Sequence, residues 1–149
     1  MRRRERPKTP AALEPALEAA RRARARAYAP YSNYRVGAAL VTAEGNIYAG
    51  CNVENASFGA TLCAERSAVA AMVTAGKSDP VVCVIVTGGT RPAPPCGICR
   101  QVLAELAYDL RLVLVADDDN GRIVSRSSAR LSALLPHAFR LGKPAGGKR

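Results

Sequence analysis

Residues 62–108 read LCAERSAVAAMVTAGKSDPVVCVIVTGGTRPAPPCGICRQVLAELAY, and this stretch decides the fold. Leu62 to Gly76 is Ala-rich with Leu62, Val69, Met72 and Val73 on one face, and Gly76 stands where a helix needs its C-terminal cap. Val81 to Thr87 is continuously apolar and largely β-branched, the composition of a strand covered on both faces. Thr90 to Pro95 reads as a loop, and Cys96 to Tyr108 is a second helix. Strand–helix–strand order calls for a right-handed crossover and a mixed sheet with helices on its faces.

Working outward, Tyr34 to Thr42 (YRVGAALVT) has strand content, Glu44 to Asn46 supplies a turn, and Ile47 to Ala49 resumes the strand, so a hairpin is expected. Ala11 to about Tyr28 is predicted as a helix, with Leu13 and Leu17 four apart and Pro30 ending it. On the C-terminal side the expectation is a strand over Leu112 to Ala116, a solvated polar turn over Asp117 to Arg122, a short strand over Ile123 to Ser125 and a helix over Ala129 to Leu135. At 149 residues the chain is one domain of α/β class, long enough to bury a core unaided.

Chemistry concentrates at the two helix starts. Cys63 stands at the first, Cys96 and Cys99 at the second. Cys-x-x-Cys at a helix start sets two sulfurs on one face, able to share a metal, and the positive helix end favours their thiolate forms. A third thiolate from the other helix makes a three-ligand site. Three protein ligands leave a fourth position for water, which separates a catalytic zinc centre from a closed structural one. Glu65 follows Cys63 by two, and a carboxylate beside such a water takes its proton and passes it to a substrate nitrogen. A lone Cys-x-x-Cys is equally compatible with a structural or redox pair; the composite with Cys-Ala-Glu is far more specific.

That composite resembles the small cytidine deaminase family. The resemblance runs from Tyr28 to Phe139 through YAPYSNYRVGAAL, GCNVENASF, LCAERSAV, PCGICRQVLAEL and LLPHAF. It implies a three-layer α/β/α fold with a mixed five-stranded sheet, one Zn²⁺ per chain, and hydrolysis of cytidine or deoxycytidine to uridine or deoxyuridine in pyrimidine salvage. It also implies a homotetramer whose sites borrow residues from neighbours. Position by position, it makes Cys63, Cys96 and Cys99 the zinc ligands and Glu65 the proton shuttle. Asn52 and Glu54 then hold the ribose 3′-hydroxyl, the Ala64 N–H faces the base O2, and Phe139 is given to an adjacent site. Zinc with three thiolates is net −1, which works against acidifying its water. Arg66 and Gln101 match family residues that hydrogen-bond the ligand thiolates and draw that charge away.

Two positions depart from the family pattern. Tyr34 stands where a Phe usually stacks on the pyrimidine, and Phe58 where many members carry a Tyr reaching a neighbour's 5′-hydroxyl. Reaction type is unaffected; substrate range is not. Asn52 and Glu54 disfavour a deaminase of other cytosine compounds, and Cys63 disfavours a tRNA or deoxycytidylate deaminase, where His is usual. The rival of a different class is a zinc-stabilised binding module with basic arms. Cys83 reads as plain core, Cys51 as no ligand, and His137 as a cap or interface residue.

The net charge of +10 suggests a nucleic-acid partner, but its distribution argues otherwise. Residues 1–10 carry +4 and residues 140–149 another +4, leaving +2 for the body, residues 11–139. The two ends read as basic, flexible, solubilising tails. No stretch approaches the length of a membrane span, no apolar segment of a secretory signal follows the basic start, and the cysteine count is odd. Together these features predict a cytoplasmic protein without a membrane partner and disfavour nucleic acid, while a small nucleoside and copies of the chain itself are the partners the resemblance implies.

Overall fold

The computed structural model describes residues 10–118 and 120–142. Its elements are α1 (Pro10–Ala25), β1 (Gly37–Thr42), β2 (Ile47–Cys51), a single 3₁₀ turn (Phe58–Ala60), α2 (Ala64–Thr74), β3 (Pro80–Gly88), α3 (Gly97–Leu106), β4 (Arg111–Asp117), β5 (Ile123–Arg130) and α4 (Leu131–Leu134). The five strands form one sheet in the order β2-β1-β3-β4-β5. The β3–β4 pair is parallel and the other pairs are antiparallel. Among the described residues no helix is long and apolar enough to cross a membrane.

Alternation along the central strands builds the three layers. Val82, Val84, Val86, Val113 and Val115 point to one face and pack with Ala16, Leu17 and Ala20 of α1. Cys83, Ile85, Leu112 and Leu114 point to the other and pack with Ala68 and Met72 of α2, Leu103 of α3 and Leu131 of α4. Each fully buried Val, Leu or Ile contributes roughly 1.5–3 kcal/mol, so two filled faces hold the sheet between its helices. Glycine sets the closeness of packing at two points. A Cβ on Gly37 would lie 1.9 Å from the Ala20 carbonyl of α1, and one on Gly50 2.4 Å from the Ala68 nitrogen of α2.

The topology also brings the two cysteine-bearing helix starts together. Both β2 and β3 are antiparallel to β1, so they run the same way and end at the same edge of the sheet. The chain passes from the end of β2 into α2 and from the end of β3 into α3. Both N-termini therefore lie at one edge, on one face.

Several expectations are corrected by tertiary contacts. Helix α1 ends at Ala25 rather than near Tyr28, because the Tyr28 N–H donates to the Asn52 carbonyl (3.1 Å) and the Tyr28 carbonyl accepts from the Glu54 N–H (2.8 Å). Strand β1 begins at Gly37 rather than Tyr34, because a side chain, Asn52, satisfies the backbone there. The final strand runs to Arg130, and Ala129, expected in a helix, pairs with Leu112. Its polar residues carry no apolar alternation, since it is an edge strand whose backbone alone is recruited. Asp117 is no solvated turn residue: it is 1% exposed and takes a two-pronged ion pair from Arg21 of α1, at 2.7 and 3.0 Å. Residue 140, assigned to a tail, is packed: the Arg140 guanidinium lies 4.3 Å above the Tyr108 ring. Residues 1–9 and 143–149 of the expected tails, and Asp119, lie outside the described residues.

Candidate metal centre and pocket

Cys63 and Cys96 occupy the same position in two helices. Each is the N-cap, with extended backbone (φ −74°, ψ 155° and φ −64°, ψ 168°), and neither spends its side chain on a capping bond. The first helical bonds run from Ser67 N to the Cys63 carbonyl (3.1 Å) and from Arg100 N to the Cys96 carbonyl (2.9 Å). The N–H groups of residues 64–66 and 97–99 therefore have no partner within their helices, and two positive helix ends face the sulfurs. Cys99 lies in the first turn of α3 and is buried.

The three Sγ atoms lie within 4.8 Å of one another, and Cys63 and Cys96 are 3.8 Å apart. Tetrahedral zinc with Zn–S bonds of about 2.3 Å requires sulfurs about 3.8 Å apart, so the group fits that ion. Among the described residues Cys51 and Cys83 are not part of the cluster. The Cys63 thiol is drawn down to about 5, first by a hydrogen bond from Cys99, then by Arg66 and Cys96, against its burial. Cys99 moves the opposite way, raised by that same bond to Cys63, by burial and by the Glu65 charge. Touching thiols cannot all ionise side by side, and a bound cation is what lets three thiolates coexist. Arg66 Nη2 reaches Cys63 Sγ at 3.8 Å while donating to the Thr61 carbonyl at 2.7 Å.

Glu65 is 5% exposed and opens into a pocket of about 180 Å³ shared with Tyr34, Asn52, Cys63, Ala64 and Cys96. Burial chiefly, then the Cys63 charge, raises its affinity for a proton, opposed by its own backbone N–H and by Cys99. A carboxyl moved toward neutrality suits a group that takes and returns protons. Ala64, fully buried, begins α2 on the pocket wall with its N–H unused by the helix. Asn52 acts as a clamp: its Oδ1 accepts from Val36 N (2.9 Å) and its Nδ2 donates to the Tyr34 carbonyl (2.8 Å), which fixes Tyr34 at the pocket. One amide hydrogen of Asn52 remains for a ligand.

The other expected residues stand further out. Glu54 lies outside the pocket lining and accepts from Tyr31 N (2.8 Å), Ser32 N (3.2 Å) and the Ser32 hydroxyl, which together hold its carboxyl below the usual range. Phe139 does not line its own chain's pocket and is 67% exposed. Gln101 differs from expectation: its Nε2 donates to the Phe139 carbonyl at 2.9 Å, and no sulfur is among its hydrogen-bond partners in the described residues. Sequence reasoning missed Thr87 and Arg100. Thr87 is a buried hydroxyl on the pocket wall, 3.4 Å from the Val115 carbonyl, and its only signal was a hydroxyl ending an apolar run. Arg100 donates to the Pro95 carbonyl (2.8 Å) just before Cys96 and to the Leu134 carbonyl (3.0 Å). A charged residue inside an amphipathic helix gave no hint of that clasp.

Known proteins resemble this chain over most of its length. A family model described as the cytidine and deoxycytidylate deaminase zinc-binding region matches residues 11–116. The cytidine deaminase of Halalkalibacterium halodurans is 49% identical over 124 residues, which cover 83% of this chain and 90% of that protein. A cytidine deaminase of Mycobacterium tuberculosis is 42% identical over 122 residues, covering 82% of this chain and 85% of its own. The crystal structure of cytidine deaminase from Burkholderia pseudomallei superposes with a TM-score of 0.75 at 43% identity, covering 85% of this chain and 98% of that one. These likenesses span the body that carries the three-thiol cluster, and the chain belongs to the cytidine and deoxycytidylate deaminase family.

Proposed function

We propose that the chain hydrolyses cytidine and deoxycytidine to uridine and deoxyuridine with release of ammonia. The observation that carries this reading is the buried Glu65 carboxyl on the wall of one pocket with Cys63 and Cys96, whose sulfurs cluster with that of the buried Cys99. The cytidine deaminase names of relatives that align along most of both chains support the same substrate class.

Cys63, Cys96 and Cys99 hold one zinc ion per chain. The chemistry zinc supplies when held there is acidification of a water, which furnishes the nucleophile for C4 of the pyrimidine. Glu65 takes a proton from that water at a carboxylate oxygen and delivers it to ring N3. It then passes the second proton to the departing 4-amino nitrogen, so water and cytidine become uridine and ammonia. The free Ala64 N–H holds the base O2, and the Tyr34 ring stacks on the pyrimidine. Asn52 and Glu54 receive the 3′-hydroxyl, each with hydrogen-bonding capacity left over. Arg66 draws charge from the Cys63 sulfur, which helps acidify the water.

Neither Glu54 nor Phe139 lines the pocket of about 180 Å³, so the pocket residues of one chain account for only part of the proposed nucleoside contacts. A homotetramer completes it, with Phe139 of one chain closing over the pocket of another. The enzyme works in the cytoplasm, where five unpaired thiols remain reduced. Its catalytic body contains residues 11–139 with the packed Arg140, and the basic ends at 1–9 and 143–149 serve solubility. The deciding experiment supplies zinc-loaded protein with cytidine and with deoxycytidine and follows ammonia and uracil nucleoside together. Stoichiometric release of both is expected. Protein carrying one zinc per chain that turns over neither substrate would sink the reading.

A further inference from the structure

Residues 136–142 form neither helix nor strand and make no backbone–backbone hydrogen bond among the described residues, yet their path is held. Side chains of α3 and its C-terminal end anchor them and the end of α4. Arg100 donates to the Leu134 carbonyl (3.0 Å), Tyr108 to the Pro136 carbonyl (2.9 Å) and Gln101 to the Phe139 carbonyl (2.9 Å). The Arg140 guanidinium then closes the run by stacking 4.3 Å over the Tyr108 ring. Three carbonyls in six residues are thus tied to α3, which Cys96 caps and which carries Cys99, and to Tyr108 just past its end.

Such anchoring is unusual for a segment that buries so little of its own. Phe139 stays 67% exposed and Leu141 81% exposed, while the carbonyl of Phe139 is fixed. Holding a large apolar ring outward on a pinned backbone gains nothing within one chain. It does lower the ordering cost of inserting that ring into a second surface. The surface that needs it is the open pocket, whose rim bears the half-exposed Tyr34.

We infer that Gln101 and Tyr108 are positioning residues which hold segment 134–140 as a strap and so present Phe139 to the nucleoside site of a neighbouring chain. This rests on the proposed reading that Phe139 serves that neighbour. Gln101 then acts in trans through Phe139, not on the sulfurs of its own chain. Arg100 belongs to the same clasp but also holds Pro95 beside the pocket of its own chain, so its effects are mixed.

The test is complementation between two defective chains. The double variant Gln101→Ala/Tyr108→Phe keeps the ring under Arg140 and removes two of the three ties. It should retain zinc, keep kcat within about twofold, and show KM for cytidine raised roughly five- to tenfold, a partial loss of one aromatic contact on a base. Refolded together with Glu65→Gln chains, whose straps are intact, it should yield a class of sites with wild-type KM. Glu65 then comes from one chain and a well-held Phe139 from the other. If KM is unchanged, or is raised and stays raised on co-assembly, the strap role is wrong. A parallel mixture of Phe139→Ala with Glu65→Gln chains separates the premises. Failure to recover there overturns the shared site itself, whereas recovery there without recovery for the double variant overturns only the strap. Should the double variant not fold, single Tyr108→Phe, isosteric and lacking only the hydroxyl, takes its place with the same expected outcomes.

Discussion

Glu65 and Asp117 are both buried carboxylates, and their surroundings give them opposite uses. Asp117 has a guanidinium partner on both oxygens and is fixed as a structural anion, whereas Glu65 faces sulfurs and a pocket. Arg21→Met would leave the Asp117 charge buried and unpaired. Because Arg21 is itself partly exposed, the expected loss is about 2–3 kcal/mol, the lower side of what breaking a buried pair costs. Urea unfolding checks this, and adding Asp117→Asn to the same chain should recover part of the loss. Glu65→Gln preserves shape and removes the carboxyl proposed as the proton carrier. The zinc content and melting temperature should stay near wild type while kcat falls at least ~10²–10⁴-fold. A variant retaining half the wild-type rate would place the proton carrier elsewhere. The pairing of Glu65 with Cys63 was legible in the sequence because both sit in one helix start. The pairing of Asp117 with Arg21, ninety-six residues apart, was not.

At the scale of elements, helix starts were readable to within a residue or two because their signals are local. Cys63 and Cys96 precede regular Ala- and Leu-rich spacing. Gly76 closes α2 with positive φ (79°), its N–H bonding the Val73 carbonyl and that of Lys77 the Met72 carbonyl. Strand limits were not readable where side chains or an edge decided them, as with Asn52 at the start of β1 and the polar run Arg126 to Arg130 in β5. Helix-to-sheet distance is likewise a tertiary quantity. Gly37→Ala preserves strand character, yet its methyl would meet the Ala20 carbonyl, so α1 must shift away from β1. The expected destabilisation is about 1–3 kcal/mol, in the range for overpacked sites, measured as a lower denaturant midpoint. Zinc content should survive, since α2 and α3 lie on the opposite face. An unchanged midpoint would show that α1 is held less tightly than its packing implies.

For the whole molecule, assembly is the expected condition of activity. If neighbours roof the pocket, specific activity should fall on dilution as the oligomer dissociates, with sedimentation and turnover changing over the same concentration range. Phe139→Ala should weaken nucleoside binding by about 1–3 kcal/mol, read as a higher KM with zinc retained. A fully active monomer would refute the shared site and leave the zinc chemistry standing. Deleting residues 1–9 and 143–149 together should leave cytidine turnover within about twofold, under ~0.5 kcal/mol in barrier height. A large loss would show that a tail reaches a site or an interface. By itself the sequence determined the strand and helix order, the grouping of Cys63, Cys96 and Cys99 and the apolar strands, because periodicity, capping and ligand spacing act over a few residues. Only the tertiary structure decided that β2 and β3 end at one edge, that Asn52 clamps Tyr34 and that Gln101 turns to the Phe139 carbonyl. Those contacts join residues distant along the chain, and which partner a hydrogen-bonding side chain finds depends on how the sheet and its helices pack, which no local pattern encodes.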